Sequence, residues 1–303
     1  MIDDDEALMA RAAWYYYNDG QTQQEIGERL GIPRIKVSRL LEMGRRTGLL
    51  ELRINSALQG CLNLERLIEE QFDIAEVRVI PRLDGVRVSE RLGQAAAQYL
   101  MRHLPENSLL AVGWGEMVGA AIHRLGHLAT DRRVDLVSLT GGVQAYADGL
   151  RIVGGAQKFY LVPAPLIVES GEIASALRNE TSVRSILDMS MQANFALVGI
   201  GGLTPEATVI RHGYVHPNEV ESMRRRGVVG DVLCRFIDSD GAEVDLPLHR
   251  RVVGVPLSDL RRGPKVIAAA AGSEKVQAIR AALRGGFINI FITDEETAPA
   301  LLH

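Results

Sequence analysis

Basic side chains are concentrated in one short stretch of the chain. Between Arg29 and Arg53 the sequence has seven basic and two acidic residues, a local net charge of +5 in a chain whose net charge is −4. Arginine and lysine at this density neutralise phosphate groups and donate hydrogen bonds to the edges of bases. The stretch therefore predicts a nucleic-acid surface on an otherwise acidic protein.

The residues around this cluster have the pattern of a helix-turn-helix. Thr22 and Glu25 have the spacing of a capping box that starts one helix, and Gly31 suits the left-handed conformation that ends it. Pro33 fits the first turn of a second helix, which Gly48 ends. In helix-turn-helix proteins the second helix enters the major groove of double-stranded DNA, so this element would carry the basic residues to their partner.

The second helix has an apolar face, and several polar side chains lie largely off it. The predicted DNA contacts are Arg34, Lys36, Ser38, Arg39, Arg45 and Arg46. An earlier helix at about residues 6–18 is predicted to pack against the pair through Leu8, Ala12, Tyr15 and Tyr16. Alternating residues at 50–54 suggest a strand that would form a wing. The alternative interpretation is a helical hairpin whose basic face is merely solvated.

A second group of residues suited to ligand binding follows several β-rich runs. Glycine lets a backbone approach a ligand closely, and a helix N-terminus beyond it offers free N–H groups to a phosphate. The loops are Gly113-Trp114-Gly115, Thr140-Gly141-Gly142, Gly199-Ile200-Gly201-Gly202 and Gly272-Ser273-Glu274-Lys275. Lys275 is unfavourably placed for the dipole of its own helix, and a bound anion would offset this. We therefore predict that Lys275 contacts a phosphate; tight turns and a solvated lysine are the alternatives.

Apolar runs that alternate with helical stretches predict an α/β domain with a mostly parallel sheet. The predicted strands are Val77–Ile80, Leu109–Val112, Val134–Leu139, Phe159–Val162, Phe195–Ile200, Val266–Ala271 and Ile288–Thr293. The predicted helices include Ser89–His103, Glu116–Leu125, Glu172–Met189 and Glu274–Leu283. Ligands of such sheets bind at the carboxyl ends of strands, where the strand order reverses, and the glycine loops lie at strand ends.

Other chemistries lack a complete set of residues. The sequence has no GxxxxGK[ST] phosphate loop and no GxSxG nucleophile elbow. The spacing of Gly113, Gly115 and Gly119 is not followed by the acid that would hold a ribose, so no nucleotide cofactor is expected. His123 and His127 are one helical turn apart but have no neighbouring third ligand, so no metal is expected.

Length and composition favour a protein of two domains. The chain has 303 residues, 24% of them charged and 47% hydrophobic, as in soluble globular proteins. We predict a DNA-binding domain at residues 1–55 and an effector and oligomerisation domain at residues 56–303. No apolar run is long enough to cross a membrane, and the acidic start does not fit a signal peptide. With two cysteines far apart, Cys61 and Cys234, the expected compartment is the cytoplasm.

Together these motifs resemble the SorC family of bacterial transcriptional regulators, over nearly the whole chain. The resemblance is carried by residues 30–41, 113–115, 140–142, 198–201, 230–231, 272–275 and 285–289. It implies an effector domain related to sugar-phosphate isomerases that binds a ligand without turnover. It also implies a homotetramer on operator DNA, released or remodelled by a phosphorylated sugar or a similar metabolite.

The resemblance further implies a set of effector contacts. They are Gly113, Gly115, Thr140, Gly141, Gly199, Asp231 and Lys275, with Lys275 on the phosphate and Asp231 on ligand hydroxyls. Capping of a turn is the alternative role for Asp231. Within the family, residues 13–16, 77–81, 163–165 and 213–214 look most like regulators of autoinducer-2 uptake, and regulators of polyol catabolism share some of them. The resemblance thus implies a phosphorylated sugar, a polyol or autoinducer-2 as the effector.

An enzyme remains the second hypothesis at this point. A sugar-phosphate isomerase fused to a DNA-binding module would need an acid/base pair in the cleft. Glu116 and Asp231 are the candidates for that pair. In the regulator hypothesis the chain has no catalytic residues.

Overall fold

Two units make up the chain in the computed structural model, Met1–Ser56 and Ala57–His303. The structure describes residues 4–50, 58–82, 85–128, 132–142 and 158–303. Within this part of the chain, no helix has the length and apolar character needed to span a bilayer.

The described part of the first unit contains three helices: α1 (Asp4–Tyr17), α2 (Gln23–Leu30) and α3 (Arg34–Arg46). The predicted capping box forms, because the Glu25 N–H donates to Thr22 Oγ1 at 3.3 Å and the Thr22 N–H donates to Glu25 Oε2 at 2.7 Å. Gly31 ends α2 with φ of 66°. Pro33 precedes α3 with an extended ψ of 144°, rather than lying in its first turn as predicted.

The core of the first unit is small and lies between its three helices. Its buried members are Met9, Ala12, Ile26, Val37, Leu40 and Leu41. Tyr15 packs against this core and holds the Arg29 guanidinium 4.0 Å above its ring. Tyr16, also predicted to pack there, lies outside this core and is 36% exposed. Apart from Leu50, the predicted wing strand lies outside the described residues.

The second unit is built on a seven-stranded sheet in which every pair is parallel, which confirms the predicted fold class. The strands of this sheet are β1 (Glu76–Ile80), β2 (Ser108–Val112), β3 (Val134–Ser138), β4 (Phe159–Tyr160), β5 (Phe195–Gly199), β8 (Lys265–Ala269) and β9 (Ile290–Asp294). Their order across the sheet is β1-β9-β8-β5-β2-β3-β4. A separate antiparallel hairpin joins β6 (Gly230–Val232) to β7 (Arg235–Ile237).

Helices and apolar clusters cover both faces of this sheet. The helices are α4 (Gln59–Phe72), α5 (Val88–His103), α6 (Glu116–Leu128), α7 (Gly171–Asn179), α8 (Thr181–Met191), α9 (Thr208–Arg211), α10 (Pro217–Arg225), α11 (Pro247–Arg251), α12 (Leu257–Leu260), α13 (Val276–Arg284) and α14 (Ala298–Leu301). The single helix predicted over Glu172–Met189 is two helices, because Glu180 adopts an extended ψ of 131° between them.

The strand order reverses between β2 and β5. From β2 the chain continues to β3 and β4 on one side, whereas from β5 it continues to β8 and β9 on the other. The loops that leave β2 and β5 therefore diverge and open a crevice at the carboxyl end of the sheet.

At one edge of the sheet, α4 supplies hydrogen-bond partners to β1. Glu69 Oε1 accepts the Val77 N–H at 2.8 Å, and Glu65 Oε1 accepts the Val79 N–H at 2.9 Å. These two N–H groups point away from β9 and would otherwise lack a partner in the sheet. The two half-buried carboxylates thus complete the hydrogen bonding of the edge strand.

Candidate functional site

The crevice between β2 and β5 contains a cavity of about 280 Å³. Loops after β2, β5 and β8 line it together with the β6–β7 hairpin. The lining includes Trp114, Gly115, Glu116, Gly199, Gly201, Thr204, Glu206, Thr208, Arg211, Asp231, Leu233, Glu274 and Lys275. Four of the seven predicted effector contacts are among these residues: Gly115, Gly199, Asp231 and Lys275.

Asp231 is the most deeply buried acid in this lining, with 4% of its surface exposed. Its backbone pairs with Gly201 through two N–H···O bonds of 2.9 Å, which bring the hairpin against the loop after β5. A methyl group at Gly201 would overlap Asp231 Oδ1, so only glycine leaves room for this carboxylate. Burial raises the pKa of Asp231 to about 6, while the Cys234 amide and the charge of Lys275 act in the opposite direction.

The hairpin that carries Asp231 was not predicted, and its turn is strained. Leu233 and Cys234 have φ of 56° and 62°, a conformation that such side chains rarely adopt. Asp231 Oδ2 accepts the Cys234 N–H at 3.1 Å and so stabilises this turn. The carboxylate therefore caps a turn, as the alternative interpretation held, and lines the cavity at the same time. Strain of this kind is frequent at functional sites.

Lys275 lines the same cavity from the loop after β8. It ends a short 3-10 helix, Ser273–Lys275, that leads into α13. Among the described residues its ammonium group has no hydrogen bond and no ion pair, although its charge lowers the pKa of Asp231. The site thus combines a buried acceptor with an uncommitted cation, brought together from positions 44 residues apart in the sequence.

The other three predicted contacts are not in the lining formed by the described residues. The Gly113 N–H donates to the Leu197 carbonyl at 2.8 Å. Thr140 forms an isolated bridge with Gly254, and the Gly141 N–H donates to the Val253 carbonyl at 2.9 Å. A methyl group at Gly141 would lie 2.5 Å from two carbonyl oxygens, those of Ala164 and Pro165. These glycines allow close packing between backbone segments.

Several lining residues were missed by sequence reasoning. Thr204, Thr208 and Arg211 follow the glycine loop after β5, and Leu233 lies in the hairpin turn. The only signal for the first three was their position just beyond Gly199-Ile200-Gly201-Gly202. Glu116, proposed as an acid/base candidate, does line the cavity, and its Oε1 accepts the Ser89 hydroxyl at 2.8 Å.

The two histidines at metal-ligand spacing also lie where the sequence placed them, on α6. Their rings have centroids 4.8 Å apart. In the part of the chain that the structure describes, no group of three or more potential metal ligands occurs. The two rings contact each other edge to face within one helix.

On the first unit, α3 divides into a buried and an exposed face. Val37, Leu40, Leu41 and Gly44 are buried. All six predicted DNA contacts, Arg34, Lys36, Ser38, Arg39, Arg45 and Arg46, are exposed. The helix thus presents its cations to solvent, in the arrangement that a major-groove helix requires.

Comparison with known proteins finds relatives along nearly the whole chain. Residues 56–303 match the family model described as "Putative sugar-binding domain". The chain is 44% identical to "Transcriptional regulator LsrR" of Enterobacter sp. (strain 638) over 98% of its own length and 93% of that protein. It is 42% identical to "Transcriptional regulator LsrR" of Escherichia coli O157:H7, over 98% of this chain and 95% of the relative.

A solved structure extends the similarity to the fold. The full-length sorbitol operon regulator SorC from Klebsiella pneumoniae has a TM-score of 0.70 and 27% identity, covering 99% of this chain and 100% of that one. These relatives are transcriptional regulators, so the regulator hypothesis stands and the isomerase alternative is not supported. The chain belongs to the SorC family of sugar-binding transcriptional regulators.

Proposed function

We propose that this regulator binds operator DNA through α3 and changes its DNA affinity when a phosphorylated, polyhydroxylated small molecule occupies the cavity. DNA and a sugar effector are the partners that its family implies. One observation supports a phosphorylated, polyhydroxylated effector in this cavity. The buried Asp231 carboxylate and the uncommitted Lys275 ammonium line the same cavity at the reversal of strand order.

The two charged groups fit different parts of such an effector. Lys275 binds the phosphate as a point charge, and Asp231 accepts hydrogen bonds from hydroxyl groups. Gly115 and Gly199 let the backbone approach the ligand. Because Gly113, Thr140 and Gly141 pack against other backbone segments, we propose that they support the surrounding loops rather than contact the ligand.

The class of effector follows from these groups together with the resemblance to regulators of autoinducer-2 uptake. A phosphorylated sugar, a phosphorylated polyol and phosphorylated autoinducer-2 all combine an anion with hydroxyl groups. The ligand changes DNA affinity only as far as it binds one state of the protein better than the other.

We propose that residues 1–55 form the domain that binds DNA. Residues 56–303 then form the domain that binds the effector and makes the oligomer. On α3, Arg34, Lys36, Ser38 and Arg39 contact the groove, while Arg45 and Arg46 serve the DNA backbone. A helix-turn-helix protein reads two symmetric half-sites, which supports a dimeric unit and, by family resemblance, a homotetramer. Action on operator DNA makes the cytoplasm the compartment in which the protein works.

Fluorescence anisotropy of the full-length protein on DNA from just upstream of its gene tests this proposal. The titration is repeated with a panel of sugar phosphates, polyol phosphates and phosphorylated autoinducer-2, each beside its unphosphorylated counterpart. We expect one phosphorylated compound to change the DNA affinity. Binding that responds equally to the phosphorylated and unphosphorylated forms would contradict the role of Lys275.

Two variants separate the two sites. Lys275→Ala should raise the effector concentration needed for the response about 10- to 100-fold, because it removes a charge-assisted contact, and should leave effector-free DNA binding intact. Arg39→Ala should do the reverse, weakening operator binding while effector binding stays at the wild-type level. A Lys275→Ala protein that responds at the wild-type concentration removes Lys275 from the site.

A further inference from the structure

One apolar side chain lies on the outer face of α3 among its cations. Ile35 is 68% exposed, the most exposed of the large hydrophobic side chains that the structure describes. It is the second residue of α3, next to Arg34. In the described part of the first unit, Ile35 does not belong to the apolar core, so packing in that core does not explain its presence on the surface.

Helical geometry places Ile35 opposite the buried face of α3. At 100° per residue, the direction away from Val37, Leu40, Leu41 and Gly44 passes through Ile35 and the residues four, seven and eleven positions later. That stripe is Ile35, Arg39, Glu42 and Arg46, all of them exposed. The first two members lie in the N-terminal half of the helix, the part of a recognition helix that contacts base edges.

We propose that Ile35 determines sequence specificity by contacting the 5-methyl group of a thymine in the major groove. The inference rests on the proposed function, in which α3 enters that groove. Thymine is the base that carries a methyl group there, and an apolar side chain is the group that recognises it. A β-branched side chain in a helix has essentially one χ1 rotamer, so Ile35 holds its methyl groups in place at small entropic cost.

The surrounding charges favour DNA as the partner over another protein. Five basic residues and one acidic residue lie on α3; Arg39 and Arg46 belong to the stripe, and Arg34 precedes Ile35 in the chain. A protein partner that covered Ile35 would also bury these cations, whereas the cores of protein interfaces are depleted of charge. DNA offers phosphates to the arginines and a methyl group to Ile35 within one groove.

A methyl contact differs from the phosphate contacts in what it contributes. It releases no counterions, so it adds little to salt-dependent affinity. Instead it distinguishes thymine from the other bases at one position in each half-site. Ile35 would thus supply specificity, while the arginines supply most of the binding energy.

Replacement of thymine by deoxyuridine tests the proposal, because it removes the methyl group and leaves the hydrogen-bonding edge unchanged. The full-length protein selects its tightest duplex from a randomised pool, and that duplex is resynthesised with dU at each dT in turn. We expect about fourfold weaker binding at one thymine of each half-site, the effect of losing one buried methyl-sized group.

The variants then assign the effect to a side chain. Ile35→Ala should bind the dT and dU duplexes equally at that position, with affinity close to that of the wild type on dU. Met43→Ala is the matched control, because Met43 is another apolar residue of α3, 41% exposed, that lies off the stripe; it should keep the fourfold difference. Circular dichroism checks that both variants fold.

Two results would overturn the assignment of Ile35. One is a wild-type protein that tolerates dU at every position of its selected site. The other is an Ile35→Ala protein that keeps the wild-type sensitivity to dU. If the wild type selects no DNA sequence at all, the proposed DNA-binding function itself is contradicted. That outcome differs from a failure of the Ile35 assignment alone, in which the protein still selects a site.

Discussion

The two charged regions of this protein differ in their contact with water. The cations of α3 are exposed and hydrated before DNA arrives. Asp231, by contrast, is almost wholly buried, and it lines the same small cavity as Lys275. Exposed charges act through the ion atmosphere, whereas a buried charge acts through its own protonation. We therefore expect salt to control the DNA-binding face and pH to control the effector site.

The largest expected effect is that of salt on DNA binding. If about six phosphates are neutralised, raising the salt from about 50 to about 200 mM weakens DNA binding roughly 1,000-fold, because bound counterions compete with the cations. Effector affinity, measured by calorimetry, should change less than about tenfold. Arg45→Ala should reduce the salt slope by about one, and Arg211→Ala, which alters the cavity, should not. Equal salt slopes for DNA binding and for effector binding would contradict the proposed difference between the two charged regions.

The next largest effect is that of Asp231→Asn. Asparagine keeps an oxygen for the Cys234 N–H but loses the charge, so effector binding should weaken about 10- to 100-fold. The variant should nevertheless unfold at a higher temperature at pH 7.5. Because folding raises the pKa of Asp231 from 3.8 to about 6, its contribution to stability is full below about pH 4 and is lost as the pH rises through 6.

At pH 7.5 the ionisation of the buried Asp231 carboxyl lowers the free energy of unfolding by about 3 kcal/mol. Asparagine does not ionise and avoids this cost, so the variant should unfold several degrees higher. Glu206→Gln is the matched control, since Glu206 also lines the cavity but is exposed. It should leave the unfolding temperature near the wild-type value. An Asp231→Asn protein less stable than the wild type at pH 7.5 would show that the ionised carboxylate is not a cost to folding.

The smallest effect is the pH dependence of effector binding. With a pKa of about 6, only about one Asp231 carboxyl in ten is ionised at pH 5, so binding through hydroxyl donors should weaken about tenfold between pH 7.5 and 5. Because a phosphate group itself titrates near pH 6, calorimetry should use the unphosphorylated form of the effector. Asp231→Asn should give a flat profile. If the effector affinity of the wild type is equally independent of pH, residues other than Asp231 bind the hydroxyl groups.

Sequence reasoning succeeded where a local pattern decides the structure. The capping box at Thr22 and Glu25 uses residues three positions apart, and each apolar strand run is recognisable from its own residues. All seven predicted strands exist, with ends displaced by at most two residues. The exposed cations of α3 follow from the same helical periodicity that predicts its apolar face.

Contacts between segments that are far apart in the sequence could not be predicted. Thr140 and Gly141 have the composition of a ligand loop, and their role as effector contacts stays a prediction. In the structure Gly254 packs against Thr140, and Val253, Ala164 and Pro165 pack against Gly141. No local pattern reports such a contact. The β6–β7 hairpin was missed because its strands have three residues each and its turn is Leu233-Cys234, not the glycine-containing pair that usually marks this conformation. Asp231 itself was therefore reached through family resemblance rather than through its hairpin.

The two glutamates of α4 at the sheet edge also bear on how copies of this protein behave in a crowded cell. An open edge strand is a template on which another chain can add a strand and start aggregation. Here the outward N–H groups of Val77 and Val79 are already bonded to Glu69 and Glu65. An incoming strand would have to displace two carboxylates before it formed its first hydrogen bonds. The edge that closes the effector domain on this side thereby protects it from polymerising.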